Sequence, residues 1–570
     1  MVWEHLVMHT EFGEFVEGVE LPAVQGTLPE GRELVFQLTP RMKSLEWAAR
    51  KRPELFGGAL LAFAQRRYDA MQATPDLLPP RAWGVLSVIP ATDRLRTTLG
   101  GTWDPRAAPT NWPNHLFLGV DDIVQVCWFL RAGLPVPAAL IARRLFERWT
   151  LNVAHQFGLS RQETESEEAY ITRVWLTLRH PSLPDEAGRW WAWLSEFLHA
   201  RPGHPAFGDR AAQPLSPIAT QNVAHHDAIS AVVDIVLGYI RGGIDLLAEQ
   251  QGIDDASLSL RSVHRDMTIA EPFGLSFAFV PLEYFEAYRK RSEQWVRGGQ
   301  AYRADVTDEV WGLVEKTNSL MTVRAFLERR GRAIERARGA FDDEKAALGE
   351  EFSPGDLASR MFRQRTIAET ARQIVPDASG VERDALIVAA QAADGATHLW
   401  LEDSDDAVGC IRVLLEQVAR LRTHRLKPGR AQRLEAAGTP SSSRWLSESG
   451  WGRLAVLMRA LNEYAHLSIR SRRRGAAALL REVQSNVDGE ESRRGSAVNA
   501  AFMIFAFELF DRLTDTNPEV AREFSRQVTL FDRDLHLEII EEYLNRVFTR
   551  RAHDFGDPDY GRGQSSAQRS

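Results

Sequence analysis

From Val120 to about Arg550 apolar residues return at intervals of three and four, a period that only a helix can turn into a buried face. The strongest stretches are DDIVQVCWFLRAGL from Asp121, PAALIARRLFERWTLNVAHQFG from Pro137, DEAGRWWAWLSEFLHA from Asp185 and ATQNVAHHDAISAVVDIVLGYIRGGIDLLAEQQG from Ala219. The period predicts a mainly α protein built of multi-helix bundles. Residues 1–117 break the pattern: they carry many Pro and Gly and short apolar runs such as ELVFQLTP and WGVLSVIP, so a small mixed N-terminal region is expected there.

At 570 residues the chain exceeds what one core holds, and roughly two to four domains are expected. The divisions fall at 1–117 (mixed region), 118–255 (a helical domain), 256–378 (a linking region with a long helix), 379–550 (a second helical domain) and 551–570 (a polar, disordered tail). In the linking region, SPGDLASRM offers Ser353 as an N-cap with Pro354 in the first turn of the helix that follows. The second helical domain is interrupted by Leu426–Gly450, whose Pro, Gly and Ser forbid a continuous helix.

Laying Pro137–His155 over Asp406–His424 without a gap pairs Ala138 with Ala407, Arg143 with Arg412, Leu145 with Leu414, Glu147 with Glu416 and His155 with His424. Each helix is followed by a second signature, QNVAH ending at His225 and NEYAH ending at His466. This predicts a tandem duplication of a helical domain. The recurring Arg-x-x-x-Glu runs in the order less favourable for an isolated helix pair, so local helix stability is a poor reason to find it twice. On a wheel Val408, Ile411, Leu414, Leu415, Val418 and Leu421 form one stripe, with Arg412 and Glu416 at its edge, where an interhelical ion pair or hydrogen-bond network is expected.

The net charge of -8 excludes a protein that coats nucleic acid by broad phosphate neutralisation, though a local basic patch stays open. Lys occurs at only six positions, so almost all the basic residues are Arg and any single Arg motif is weak. Cys127 and Cys410 lie far apart in apolar segments and cannot build a thiolate zinc site alone. The N-terminus lacks the charge pattern of a signal peptide, and the longest apolar runs, such as Ala500–Phe510, fall short of a membrane span. A cytoplasmic protein without a membrane segment is therefore expected. Phosphate-binding loops, dinucleotide fingerprints, nucleophile elbows and His-Glu-x-x-His motifs are absent from the sequence.

The candidate site is RALNEYAHLSIRSRRRGAAALLR, Arg459–Arg481. A wheel over Leu454–Leu467 buries Leu454, Leu457, Met458, Leu461, Tyr464 and Ala465, and leaves Arg459, Asn462, Glu463 and His466 on the other side. Arg459 and His466 nearly superimpose, and Arg470, Arg472, Arg473 and Arg474 follow. The arrangement resembles the Arg-x(4 to 6)-His signature of the HEPN superfamily, small helical domains of prokaryotic ribonuclease toxins and defence proteins, although Ala460 stands where that family carries a polar residue. The same spacing also occurs at Arg148/His155, Arg173/His180 and Arg546/His553.

The resemblance implies metal-independent RNA cleavage, commonly across a homodimer, with no cofactor. His466 would be the general acid/base and Arg459 the group holding the scissile phosphate, with Glu463 and Glu416 completing the catalytic set and Asn462, Arg470 and Arg473 contacting RNA. The bland reading makes this a solvated helix face of a non-catalytic interaction or scaffold protein with a protein partner. A third reading takes Glu463-x-x-His466 and Glu196-x-x-His199, with Glu147 and Glu416, as a helical di-metal carboxylate set. In it His199 also has a bland role, capping the last carbonyls of its helix.

Overall fold

The computed structural model describes residues 134–162, 164–177, 187–202, 339–346, 349–401, 406–438, 440–454 and 491–528, with isolated positions among 122–129, 204–249, 457–461 and at 538. The mixed N-terminal region, the aromatic part of the linking region and the C-terminal tail lie outside the described residues. Those described are mainly α-helical and contain no strand. The helices are α1 (Pro135–Gln156), α2 (Glu167–Thr177), α3 (Ala187–Leu198), α4 (Leu357–Ile374), α5 (Gly380–Leu401), α6 (Asp406–Leu426), α7 (Pro428–Ala436), α8 (Ser442–Glu448), α9 (Glu491–Thr516) and α10 (Pro518–Gln527).

Two helices sit at the centre. Nearly every residue of α1 from Pro135 to Ala154 is buried, and so is every residue of α6 from Asp406 to Leu421. The wheel for α6 placed its apolar stripe correctly, since Val408, Ile411, Leu414, Leu415, Val418 and Leu421 are all buried. Arg412 and Glu416, placed at the edge of that stripe, are buried, and so are Gln417 and Arg420, for which no burial was expected. α3 and α5 cover α1, while α5, α7, α8 and α9 surround α6. A helix enclosed in this way must carry its charges inward, where each needs a partner.

The alanine-rich face of α5 lets α1 and α6 come close. A Cβ on Gly395 of α5 would lie 2.7 Å from Cβ of Pro137, and one on Gly409 of α6 would lie 2.8 Å from Cδ2 of Leu140. α1 is thus seated by backbone notches in the helices of residues 380–426, and one continuous apolar cluster takes in both segments. The N-cap residue of α1, Leu134, has no side chain able to accept a hydrogen bond, and Gln391 of α5 accepts the Val136 amide at 3.1 Å instead.

Charged residues pin the periphery of this core. Arg144 of α1 pairs with Asp406 at the start of α6, and Arg148 with Asp122. Glu508 of α9 is fully buried and accepts from Arg425 Nε and Nη2 at 3.0 and 2.9 Å and from Arg512 Nε at 2.9 Å. Each carboxylate–guanidinium contact is directional, so these pairs fix the helices' register as well as their proximity.

One sequence expectation needs correction and another gains detail. The N-cap of α4 is Asp356, not Ser353: its carboxylate accepts the Ser359 amide at 2.7 Å, while the Ser353 hydroxyl turns inward and donates to Glu344. Leu426–Gly450 contains no continuous helix, as expected, yet it holds two short ones. Pro428 begins α7 where its missing N–H matters least, and Ser441 occupies the extended N-cap position of α8.

Candidate functional site

Of the candidate residues, Arg459, Asn462, Glu463, His466, Arg470 and Arg473 lie outside the described residues. Glu416 is described, and so are four positions of the stripe that the wheel assigns to the core: Leu454, Leu457, Met458 and Leu461 are buried. The site that can be built from side chains is therefore the one around Glu416.

Glu416 projects from the third turn of α6. One carboxylate oxygen, Oε1, lies 2.6 Å from Nδ1 of His199, just beyond the end of α3. Oε2 accepts the hydroxyl of Ser442, the first residue of α8, and lies 3.9 Å from Nη2 of Arg412 one turn earlier. Burial alone pushes this carboxyl up. The charge and hydrogen bond of His199, the charge of Arg412 and the bond from Ser442 outweigh it and hold the pKa at about 2. Glu416 is thus an anion that ties α3, α6 and α8 together.

The matching pair on α1 lies beside it. Arg143 Nε is 3.3 Å from Glu147 Oε1, which also accepts Trp191 Nε1 at 2.5 Å, and the Arg143 guanidinium lies 4.7 Å over the Trp191 ring. Arg412 feels both glutamates and Arg143; burial lowers its pKa, the like charge adds to that, and Glu416 and Glu147 oppose it. The two Arg-x-x-x-Glu pairs picked out by sequence therefore meet in the core as a network between helices, as the bland expectation had it.

The end of α3 is held a second time. Arg420 makes a two-pronged pair with Glu435 of α7 at 2.6 and 2.8 Å, and its Nη1 donates to the carbonyls of His199 and Ala200, both at 3.0 Å. His424 Nε2 lies 3.3 Å from Glu435 as well. Burial would raise the Glu435 pKa, but the hydrogen bonds from His424 and Arg420 outweigh it and lower it. The carbonyls of Ser195, Glu196 and Phe197 in the last turn of α3 are taken by the amides of His199, Arg201 and Ala200, and Arg420 takes the two carbonyls just beyond, while the His199 ring turns to Glu416, which corrects the capping role expected for that histidine.

A carboxylate that fixes Nδ1 of an imidazole and leaves Nε2 for another group can set up a general base. Here the serine donates to the carboxylate and not to the imidazole, so the arrangement does not activate a nucleophile. Of the di-metal set, Glu463 and His466 lie outside the described residues, and Glu196 turns to Arg201 while His199 turns to Glu416. Among the described residues no three His, Cys, Asp or Glu side chains converge to hold a metal ion.

Two of the other Arg/His spacings are also explained. Arg148 pairs with Asp122 while His155 is exposed, and Arg173 binds Glu165 at 2.6 and 2.8 Å. Sequence reasoning found Glu416, Arg412, Arg143 and Glu147 from their recurrence, but missed Ser442, Arg420 and Glu435, which carry no motif. No described helix is long and apolar enough to cross a membrane. Comparison of the chain with family models, curated proteins and solved structures finds no match.

Proposed function

We propose that the protein is a non-catalytic helical interaction protein, whose buried charge networks fix the positions of its helices. The observation that carries this reading is the state of Glu416: both its oxygens are committed to His199 and Ser442, with Arg412 alongside. A carboxylate buried and engaged at both oxygens joins helices rather than facing a reacting group. The saturated pairs at Glu508 and Glu435 follow the same pattern.

A second reading, an RNA-cleaving protein with Arg459 and His466 as its working pair, draws support from the burial of Leu454, Leu457, Met458 and Leu461. These are the positions that the wheel requires to be apolar if Arg459, Asn462, Glu463 and His466 share a side. One assay separates the two. RNA degradation by the purified chain, and growth of cells expressing it, are compared for wild type and His466→Ala. The interaction reading expects equal behaviour of both proteins. RNA loss or toxicity that disappears with His466 overturns it in favour of cleavage.

A further inference from the structure

Arg363 stands apart from the arginines that have buried partners. It lies in the second turn of α4, and helical side chains lean toward their N-terminus, so its guanidinium reaches back over the first turn. Nη1 is 3.9 Å from the point where a Cβ on Gly355 would sit; this glycine, at φ +75°, turns the chain into the helix. Arg363 is only 9% exposed. Its Nη2 has no hydrogen-bond partner, and among the described residues no carboxylate lies within ion-pair distance of it.

The nearby acids are engaged elsewhere. Asp356 accepts the amide and hydroxyl of Ser359 at 2.7 and 2.5 Å. Glu350 holds Lys345 at 2.6 Å and the Gly355 amide at 2.9 Å. Glu344 is occupied by Arg360, Ser353 and Ser496. Burial and the like charge of Arg360 lower the Arg363 pKa to about 10, against the pull of Asp356 and Glu350, so it remains a cation at neutral pH. An enclosed cation with unused donors is costly unless something accepts from it.

We propose that this corner binds a small oxyanion, a phosphate or carboxylate group, held between the Arg363 guanidinium and the Leu357 and Ala358 amides of the first turn of α4, the Ser359 amide being taken by Asp356. The two parts suit one ligand. A guanidinium presents its N–H groups in a fork that matches an oxyanion, and the first turn of a helix offers amides without intrahelical acceptors together with the positive end of the dipole. Asp356 and Glu350 repel the same ligand and hold the affinity down.

The test is the thermal unfolding midpoint of the full chain at constant ionic strength, with chloride exchanged for inorganic phosphate in one arm and for acetate in another. For wild type the midpoint rises by about 2 °C for each tenfold increase in phosphate once the site fills. Arg363→Met gives no such rise and is at least as stable as wild type without phosphate, because an unpaired buried charge has been removed. A rise in acetate as well as phosphate assigns any oxyanion; a rise in phosphate alone assigns the phosphate class. The proposal is overturned by no rise in either anion, by an equal rise in the variant, or by a variant that fails to fold in chloride. Arg363→Lys, which keeps the charge but loses the fork, provides the second check: it shows a smaller rise than wild type, and an unchanged rise counts against the site.

Discussion

Glu416 and His199 are 217 residues apart in the chain and 2.6 Å apart in the fold, and this contact fastens the end of α3 to the middle of α6. Because Glu416 also accepts from Ser442 and faces Arg412, removing its carboxylate takes away an anion that a buried guanidinium and an imidazole share. Glu416→Ala is expected to destabilise the protein by about 3 kcal/mol. His199→Ala should cost less, since His199 is 23% exposed on its side chain and water reaches the site it vacates. Denaturant unfolding of the two single variants and the double variant measures the coupling. A coupling energy near zero would show that the contact contributes nothing to stability.

The same carboxylate sets an acid limit. Its folded pKa of about 2 lies below the ordinary value of 4.5, so the folded state binds the proton less readily than the unfolded chain. The stabilisation from this shift is fully present above about pH 4.5 and is lost as the pH falls toward 2, to a total of about 3 kcal/mol. Glu416→Gln carries no titrating group, so its stability relative to wild type should recover between pH 4.5 and pH 2. Parallel acid limbs for the two proteins would refute this assignment.

The helical class was legible because the apolar period persists through α1, α3, α6 and α9. The Arg-x-x-x-Glu pairs stood out because they recur. The wheel placed Arg412 and Glu416 at the edge of the stripe, where a network between helices was expected; what it did not reveal is that α1 and α6 are buried around nearly their whole circumference, so that these charges are interior residues. Only tertiary packing shows which partners such charges find inside. Ser442, Arg420 and Glu435 were illegible for the same reason: their roles come from helices that the chain brings together over long separations. Ser353 was mistaken for the N-cap because Asp356, three residues later, is an equally good capping residue and Glu344 draws the serine inward.

Packing at the two glycine notches should rank by the stiffness of what they meet. Gly395 faces the ring of Pro137, which cannot rotate away, whereas Gly409 faces the tip of Leu140, which can. Alanine gains about 1 kcal/mol of helix propensity at either position. Against that, Gly395→Ala must push α1 off α5 and should lose about 2 kcal/mol net, while Gly409→Ala should be close to neutral. Thermal unfolding of both variants checks the order, and an equal loss at the two sites would mean that α1 moves as a rigid body.

At the end of α3 the backbone itself offers a gain in stability. Ala200 adopts φ +47°, the left-handed region that favours glycine. Its amide bonds the Phe197 carbonyl at 2.9 Å and the next amide, Arg201, bonds Glu196 at 3.0 Å, the paired closure of a helix that ends in a left-handed residue. An alanine tolerates this conformation here because Arg420 takes the Ala200 carbonyl at 3.0 Å and closes the turn against α6. Removing the strained Cβ should therefore stabilise the fold, and Ala200→Gly is expected to gain about 0.5–1 kcal/mol, with the higher unfolded-state entropy of glycine limiting the gain. In an Arg420→Gln background the turn loses that carbonyl partner, and glycine should gain more than it does in wild type. Chemical denaturation of the four proteins measures this, and an identical gain in both backgrounds would show that Arg420 does not hold the turn.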